Sequence, residues 1–87
     1  MKKTILITGT SSGIGKATVI EFAKMGWNVI ATQRNPENEM DFDKFQNVKL
    51  YSLDVTNLES IKQTISQGQK DFGKIDVVVN NAGYGVD

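Results

Sequence analysis

An apolar triplet, Ile5-Leu6-Ile7, runs directly into Thr8-Gly9-Thr10-Ser11-Ser12-Gly13-Ile14-Gly15, so that a T-G-x-x-x-G-x-G spacing falls where a strand would give way to a helix. No other feature restricts the fold as much. Glycine allows a tight turn and a close approach of other groups to the backbone, and the first N–H groups of a helix have no partner inside it. Such a junction presents a bare, donor-rich backbone that suits an anion, a pyrophosphate above all. A second apolar run, Asp76-Val77-Val78-Val79, leads into the polar, glycine-bearing turn Asn80-Asn81-Ala82-Gly83.

With 87 residues the chain makes one small domain, residues 1–87, with a thin core. Apolar residues at 39% and charged residues at 23% exclude wholesale disorder. Ten basic residues balance ten acidic ones without a basic run, which argues against nucleic-acid or anionic-membrane partners. The absence of cysteine and histidine removes disulfides, thiolate metal sites and the commonest general base, and no metal ligand set is expected. The amino-terminal apolar stretch is broken by Thr8 and Gly9 before it reaches the length of a signal peptide, so a cytoplasmic setting is the simplest expectation.

Thr4 to Thr8 reads as a strand buried on both faces. Helical spacing follows from Gly13 to about Met25, with Ile14, Ala17, Phe22 and Met25 on one side, Val19 and Ala23 on another, and Gly26 as the stop. Trp27 to Thr32 holds a second buried-strand signal that Pro36 prevents from continuing. Residues 35–47 are polar and acidic and read as a loop with at most one helical turn. Val48 to Leu53 alternates like a strand nearer a sheet edge. Thr56 and Glu59 have the spacing of a capping box, and Leu58, Ile61, Ile65 and Phe72 form the expected buried stripe of a helix that Gly73 closes. Ile75 to Val79 is the fourth strand.

Strands alternating with helices imply a parallel sheet with right-handed crossovers and helices on both faces. The expected order is 3-2-1-4, in which the carboxyl ends of strands one and four meet at the topological switch point where such sheets bind ligands. Both glycine-bearing turns fall on that edge.

In their order and spacing, Thr8 to Gly15, Asp54-Val55 and Asn80 to Gly83 resemble the short-chain dehydrogenases and reductases, a resemblance that covers the whole chain. It implies an α/β, Rossmann-type sheet, here partial with about four strands, and a nicotinamide dinucleotide partner. By the same resemblance Gly9, Thr10, Gly13 and Gly15 belong to the phosphate turn, and the Ile14 N–H and Ser12 hydroxyl face the phosphates. Asp54 would accept from the adenine amino group, Val55 would flank the ring, and Asn81, Ala82 and Gly83 would support the sheet and pass the adenosine ribose. Thr8 would tie the first strand to that second turn. Read singly, Asp54 could be a strand-end residue, and Asn80 and Asn81 could be left-handed turn residues.

The choice of dinucleotide falls at the end of the second strand, where a carboxylate would bind a ribose diol and repel a 2′-phosphate. Gln33 and Arg34 stand there, which favours NADP over NAD because a guanidinium pairs with phosphate. Lys16 could add a second positive charge or be simple surface. The family's catalytic serine and Y-x-x-x-K pair are absent from these residues: Val55 follows Tyr51 at the fourth position, and only Gly85, Val86 and Asp87 follow Tyr84. The chain therefore reads as an amino-terminal, cofactor-binding portion, inactive by itself, of an oxidoreductase acting on a small carbonyl or alcohol. The alternatives are a free-standing binding module and an inactive fragment. Asp76 to Asn80 would form an unpaired apolar edge, so self-association into a homo-oligomer is expected. Gly83, Tyr84 and Gly85 could wall a substrate pocket.

Overall fold

Short runs of β-branched and aliphatic residues, each too brief for a helix, form the centre of the computed structural model, which describes residues 2–11 and 13–81. The strands are β1 (Thr4–Ile7), β2 (Asn28–Gln33), β3 (Val48–Ser52) and β4 (Val77–Val79); α1 (Gly13–Lys24) joins β1 to β2, and α2 (Leu58–Phe72) joins β3 to β4. A 3-10 turn, Pro36–Asn38, lies between β2 and β3, within the segment expected to be loop with at most one helical turn. All pairings are parallel and the order is β3-β2-β1-β4, as the alternation implied.

The register explains the two-sided core. Ile5 lies opposite both Val29 and Val77, and Leu6 opposite both Ile30 and Val78. Because successive side chains alternate across a sheet, Ile5, Ile7, Val29 and Ala31 pack with Val19 and Ala23 of α1, while Leu6 and Ile30 turn toward α2. Phe42 closes the α1 side from the loop, the one residue of that acidic segment buried in the core. Asn47 secures the far end by donating from Nδ2 to the Ala23 and Trp27 carbonyls, at 3.0 and 2.6 Å.

The helices correct two expectations and show which side of α1 is buried, a point its spacing left open. The buried face of α1 is Gly15, Val19 and Ala23, whereas Ile14, Ala17 and Met25 are exposed and Phe22 is only half-buried. Small residues at four-residue spacing let the helix lie close on the sheet, and bulkier ones are displaced to its flanks. The same logic overturns the stripe on α2, whose buried residues are Thr64 and Gly68. Leu58 is 65% exposed, Ile65 is exposed, and Ile61 and Phe72 are half-buried; Ile61 and Ile65 line a recess with Val78 of β4 instead of a closed core. The capping box does not form. Asn57 is the N-cap, its side chain accepting from the Glu59 and Ser60 N–H groups, and Thr56 instead donates both N–H and hydroxyl to Asp54. Asparagine caps at least as well as threonine, and the Asp54 turn leaves Thr56 one residue outside the helix.

Boundaries otherwise shift by one or two residues: β1 ends at Ile7, β2 at Gln33, α1 at Lys24 ahead of Gly26, whose φ is +88°, and β4 starts at Val77 instead of Ile75. Among the described residues β3 and β4 are the sheet's edges, and Val78 on β4 is 60% exposed.

Candidate functional site

The turn between β1 and α1 is built from the two glycine properties that its sequence advertised. Gly9 and Gly13 have φ of +66° and +62°, values that side chains with a Cβ rarely adopt. A Cβ on Gly13 would meet nothing within 4 Å, so the outer side of the turn is open. Gly15 is constrained by approach instead: a Cβ there would lie 2.1 Å from the Gly9 carbonyl oxygen and 2.6 Å from Asn81 Nδ2. The helix start thus rests directly on the turn.

Thr10 anchors the turn from inside. It is fully buried, and its N–H and hydroxyl both donate to the Thr32 carbonyl at 3.1 Å, coupling the turn to the end of β2. Thr32 in turn donates its hydroxyl to the Ile7 carbonyl at 3.0 Å. Ile14, in the first turn of α1, is 78% exposed, and no acidic residue stands in that first turn to neutralise the positive end of the helix dipole. An open glycine turn below an uncompensated helix N-terminus fits a diphosphate. Ser12 lies outside the described residues.

On the other side, β4 delivers the second motif to the same edge. Thr8 N–H donates to Val79 O at 3.1 Å, the Thr8 hydroxyl donates to Asn80 Oδ1 at 3.0 Å, and the Asn81 N–H donates back to Thr8 Oγ1 at 2.9 Å. Asn81 Nδ2 then donates to the Gly9 carbonyl at 3.1 Å. The side-chain bonds among these span 72 or 73 residues of chain, and together the contacts fix the glycine turn against the end of β4. No described residue other than glycine has a positive φ, so Asn80 and Asn81 are not left-handed turn residues; their side chains bond across the sheet. Ala82 and Gly83, together with Tyr84 and Gly85, lie outside the described residues.

Beyond β3, Asp54 opens a tight turn through one oxygen, Oδ1, which accepts the Thr56 hydroxyl at 2.6 Å and the Thr56 N–H at 3.0 Å. The Thr56 bonds foremost, with Arg34 nearby, hold the carboxyl below its ordinary range and keep it ionised. Val55 lines an apolar recess of about 210 Å³ with Leu6, Ile61, Ile65, Val78 and Asn80. Arg34 follows β2 directly and is exposed, its carbonyl accepting from Ser52 Oγ at 3.2 Å.

Sequence reasoning missed the acidic side of this edge. Glu39 Oε1 accepts from Gln33 Nε2 at 2.6 Å, Glu39 Oε2 accepts from the Asp41 N–H at 3.0 Å and lies 3.3 Å from Lys16 Nζ, and Asp41 Oδ2 lies 2.5 Å from the same ammonium. Lys16 is therefore neither an available cation nor idle surface. The end of β2 lacks a carboxylate in sequence, yet the loop brings one to it. The acidic character of residues 37–43 was legible; nothing in their pattern fixed which acid would fold back.

Among the described residues no helix is long and apolar enough to cross a membrane, and none of their acidic groups cluster as a metal site. The sequence profile of the short chain dehydrogenase family matches residues 3–87. The chain is 43% identical over 86 residues to a 3-oxoacyl-acyl-carrier-protein reductase of Thermotoga maritima, covering 93% of this chain and 35% of that one. Its fold is similar to ElxO with NADP bound, at a TM-score of 0.87 and 42% identity over 99% of this chain and 37% of that one. It is also similar to 4-hydroxyisoleucine dehydrogenase complexed with NADH, at 0.81 and 32% over 95% and 35%. The chain spans about a third of the length of the curated relatives it matches. On a match that takes in both glycine-bearing turns and everything between them, the chain belongs to the short-chain dehydrogenase family.

Proposed function

We propose that this chain is the dinucleotide-binding portion of an NADP-dependent oxidoreductase that moves hydride between the nicotinamide and a carbonyl or alcohol. The observation that carries the reading is the interlocked edge itself: a positive-φ glycine turn, open on one side and held on the other by Asn81, at the switch point of a β3-β2-β1-β4 sheet. When bound, NADP would supply the hydride chemistry. The chain's own residues would bind and orient it.

In this reading the backbone of Gly9, Gly13, Ile14 and Gly15, with the Ser12 hydroxyl, receives the diphosphate at the α1 N-terminus. Thr10 acts through the turn, since both its donors are committed to Thr32. Arg34 meets the 2′-phosphate. Asp54 accepts from the adenine amino group through Oδ2 while Oδ1 holds Thr56, Val55 flanks the ring, and Asn81, Ala82 and Gly83 pass the ribose. The NADP-bound neighbour supports that choice of nucleotide, and the NADH-bound one shows that the fold by itself does not dictate it. No Y-x-x-x-K segment occurs in the 87 residues, so hydride transfer by this chain alone is not expected. The substrate would be met mostly by residues other than these, with Gly83, Tyr84 and Gly85 as one wall. The exposed Val78 on the β4 edge favours cover by another strand, either from a longer chain or from a second copy, and sedimentation of the 87-residue chain separates the two.

The test is a paired titration with NADPH and NADH, following nicotinamide fluorescence and energy transfer from Trp27. That residue packs edge-to-face on Phe22 at 5.0 Å, at the opposite end of β2 from Arg34 and roughly 20 Å away along the strand, so it reports binding without touching the ligand. Saturable binding with NADPH tighter than NADH, and loss of that preference in Arg34→Ala, is the expected result. Binding of neither nucleotide refutes the proposal.

A further inference from the structure

The end of β2 carries an electrostatic arrangement that the proposed cofactor site does not use. A recess of about 430 Å³ opens there, lined by Ser11 of the glycine turn, Lys16, Gln33, Asn35, Glu39 and Asp41. Gln33 is buried there, and Glu39 beside it has a side chain only 7% exposed, with Gln33 Nε2 on one oxygen and the Asp41 N–H and Lys16 on the other. Asp41, at 59% exposed, pairs with Lys16 from the solvent side. The recess therefore holds two carboxylates against one ammonium. Arg34, the next residue along the chain from Gln33, lies near enough to Asp54 to favour its ionised form.

We propose that Glu39 is a specificity-determining residue of this cofactor site: by engaging Gln33 and Lys16 it sets a buried negative charge beside the ribose end of β2 and limits how strongly the chain prefers a 2′-phosphate to a 2′-hydroxyl. The inference rests on the cofactor reading above. Two effects have the same sign. The Glu39 charge repels a phosphate dianion, and its pairing with Lys16 withdraws a cation that would otherwise join Arg34 in attracting one. A ribose hydroxyl carries no charge and is nearly indifferent to both. Burial by itself would push the Glu39 carboxyl up, but the bonds from Gln33, the Asp41 N–H and Lys16 outweigh it and hold the group below its ordinary value, so the charge persists at neutral pH.

Glu39→Gln removes the charge and keeps one acceptor oxygen, for the Asp41 N–H, while its amide nitrogen faces Gln33, whose own amide must turn over to accept from it. Titrating NADPH and NADH against the wild-type chain and this variant, the ratio of the two affinities is expected to rise about fivefold or more toward NADPH, a size typical of removing one unit charge near a dianion. Adding Lys16→Met to Glu39→Gln should reduce the gain, because the ammonium, which Asp41 still pairs in the single variant, is then absent. Asp41→Asn, at an exposed position, tests the same charge argument if Glu39→Gln does not fold, with a smaller rise expected. A ratio unchanged within about twofold in the variant that folds overturns the inference, since a merely structural role for Glu39 would weaken both nucleotides alike. Failure of the wild-type chain to bind either nucleotide overturns the functional reading and this inference with it. Wild-type binding with an unmoved ratio overturns this inference alone.

Discussion

Replacing Gly15 with alanine tests the central claim that the helix start rests on the glycine turn without room for a methyl group. The added Cβ would sit 2.1 Å from Gly9 O, 2.6 Å from Asn81 Nδ2 and 2.9 Å from Gly9 C, where real Cβ atoms essentially never come within 3.0 Å. Two of the three obstacles are backbone atoms in a turn that Thr10 pins to β2, so relief requires moving the turn or lifting α1. Overpacking of this kind costs about 1–3 kcal/mol, and loss of the Asn81 bond to Gly9 adds about 1 kcal/mol. Alanine returns about 1 kcal/mol as the better helix former. The net expectation is a loss of about 1–3 kcal/mol, which for a domain of this size lowers Tm by roughly 5–20 °C. Thermal and urea unfolding followed by circular dichroism read it directly. Gly68→Ala is the matched control, since it offers the same gain in helix propensity but meets first only the flexible end of Ile30, its Cδ1 at 2.5 Å, with the next atoms at 3.5 and 3.6 Å. It should stay within about 1 kcal/mol of wild type. A Gly15→Ala chain as stable as Gly68→Ala would refute the reasoning.

Further outcomes follow from single contacts. Asn57→Ala removes the acceptor for two N–H groups at the start of α2 and should cost about 1 kcal/mol, whereas Thr56→Ala leaves that cap intact and should leave the helix start protected in amide exchange. Thr8→Val deletes a hydroxyl that donates to Asn80 and accepts from Asn81, with an expected loss of about 1–3 kcal/mol and faster amide exchange at Asn81. For Asp76 the Thr4 N–H is the leading cause of a carboxyl held below its ordinary value of 3.8, with Lys74 and Lys3 assisting. A depressed folded-state value means stability that is present above the unfolded value and lost as pH falls through the folded one. The deficit of Asp76→Asn relative to wild type should therefore be full at pH 7 and shrink in acid melts below about pH 4; a deficit independent of pH would count against the assignment.

Strand order, helix number and the convergence of two turns were legible because they rest on short-range signals: β-branched runs, glycine spacing, and the handedness of crossovers. The side of each helix that is buried was less legible. On α2 the largest apolar residues promised the core and on α1 the spacing did not choose between two sides; close packing on the sheet selects Gly15, Val19, Ala23, Thr64 and Gly68, and leaves Ile14, Leu58 and Ile65 outside. Hydrophobicity identifies an amphipathic helix; the distance of approach chooses its face. The cap at Asn57 was hidden by a stronger-looking Thr56, whose donors the Asp54 turn claims. Glu39 was invisible for a different reason. Its role depends on how an irregular loop returns to Gln33 and Lys16, and no periodicity encodes that return.

The bonds between Thr8, Asn80 and Asn81 also bear on the order of folding. The strands β1 and β2 and the helix between them use contacts local in sequence and can assemble early, but the glycine turn receives its last restraints only when a segment more than 70 residues downstream docks beside β1. Closing so long a loop is slow relative to the local steps. A chain emerging from the ribosome would therefore hold its turn in rough outline well before the turn could grip a ligand, and nucleotide present during synthesis would select those molecules in which β4 had already arrived.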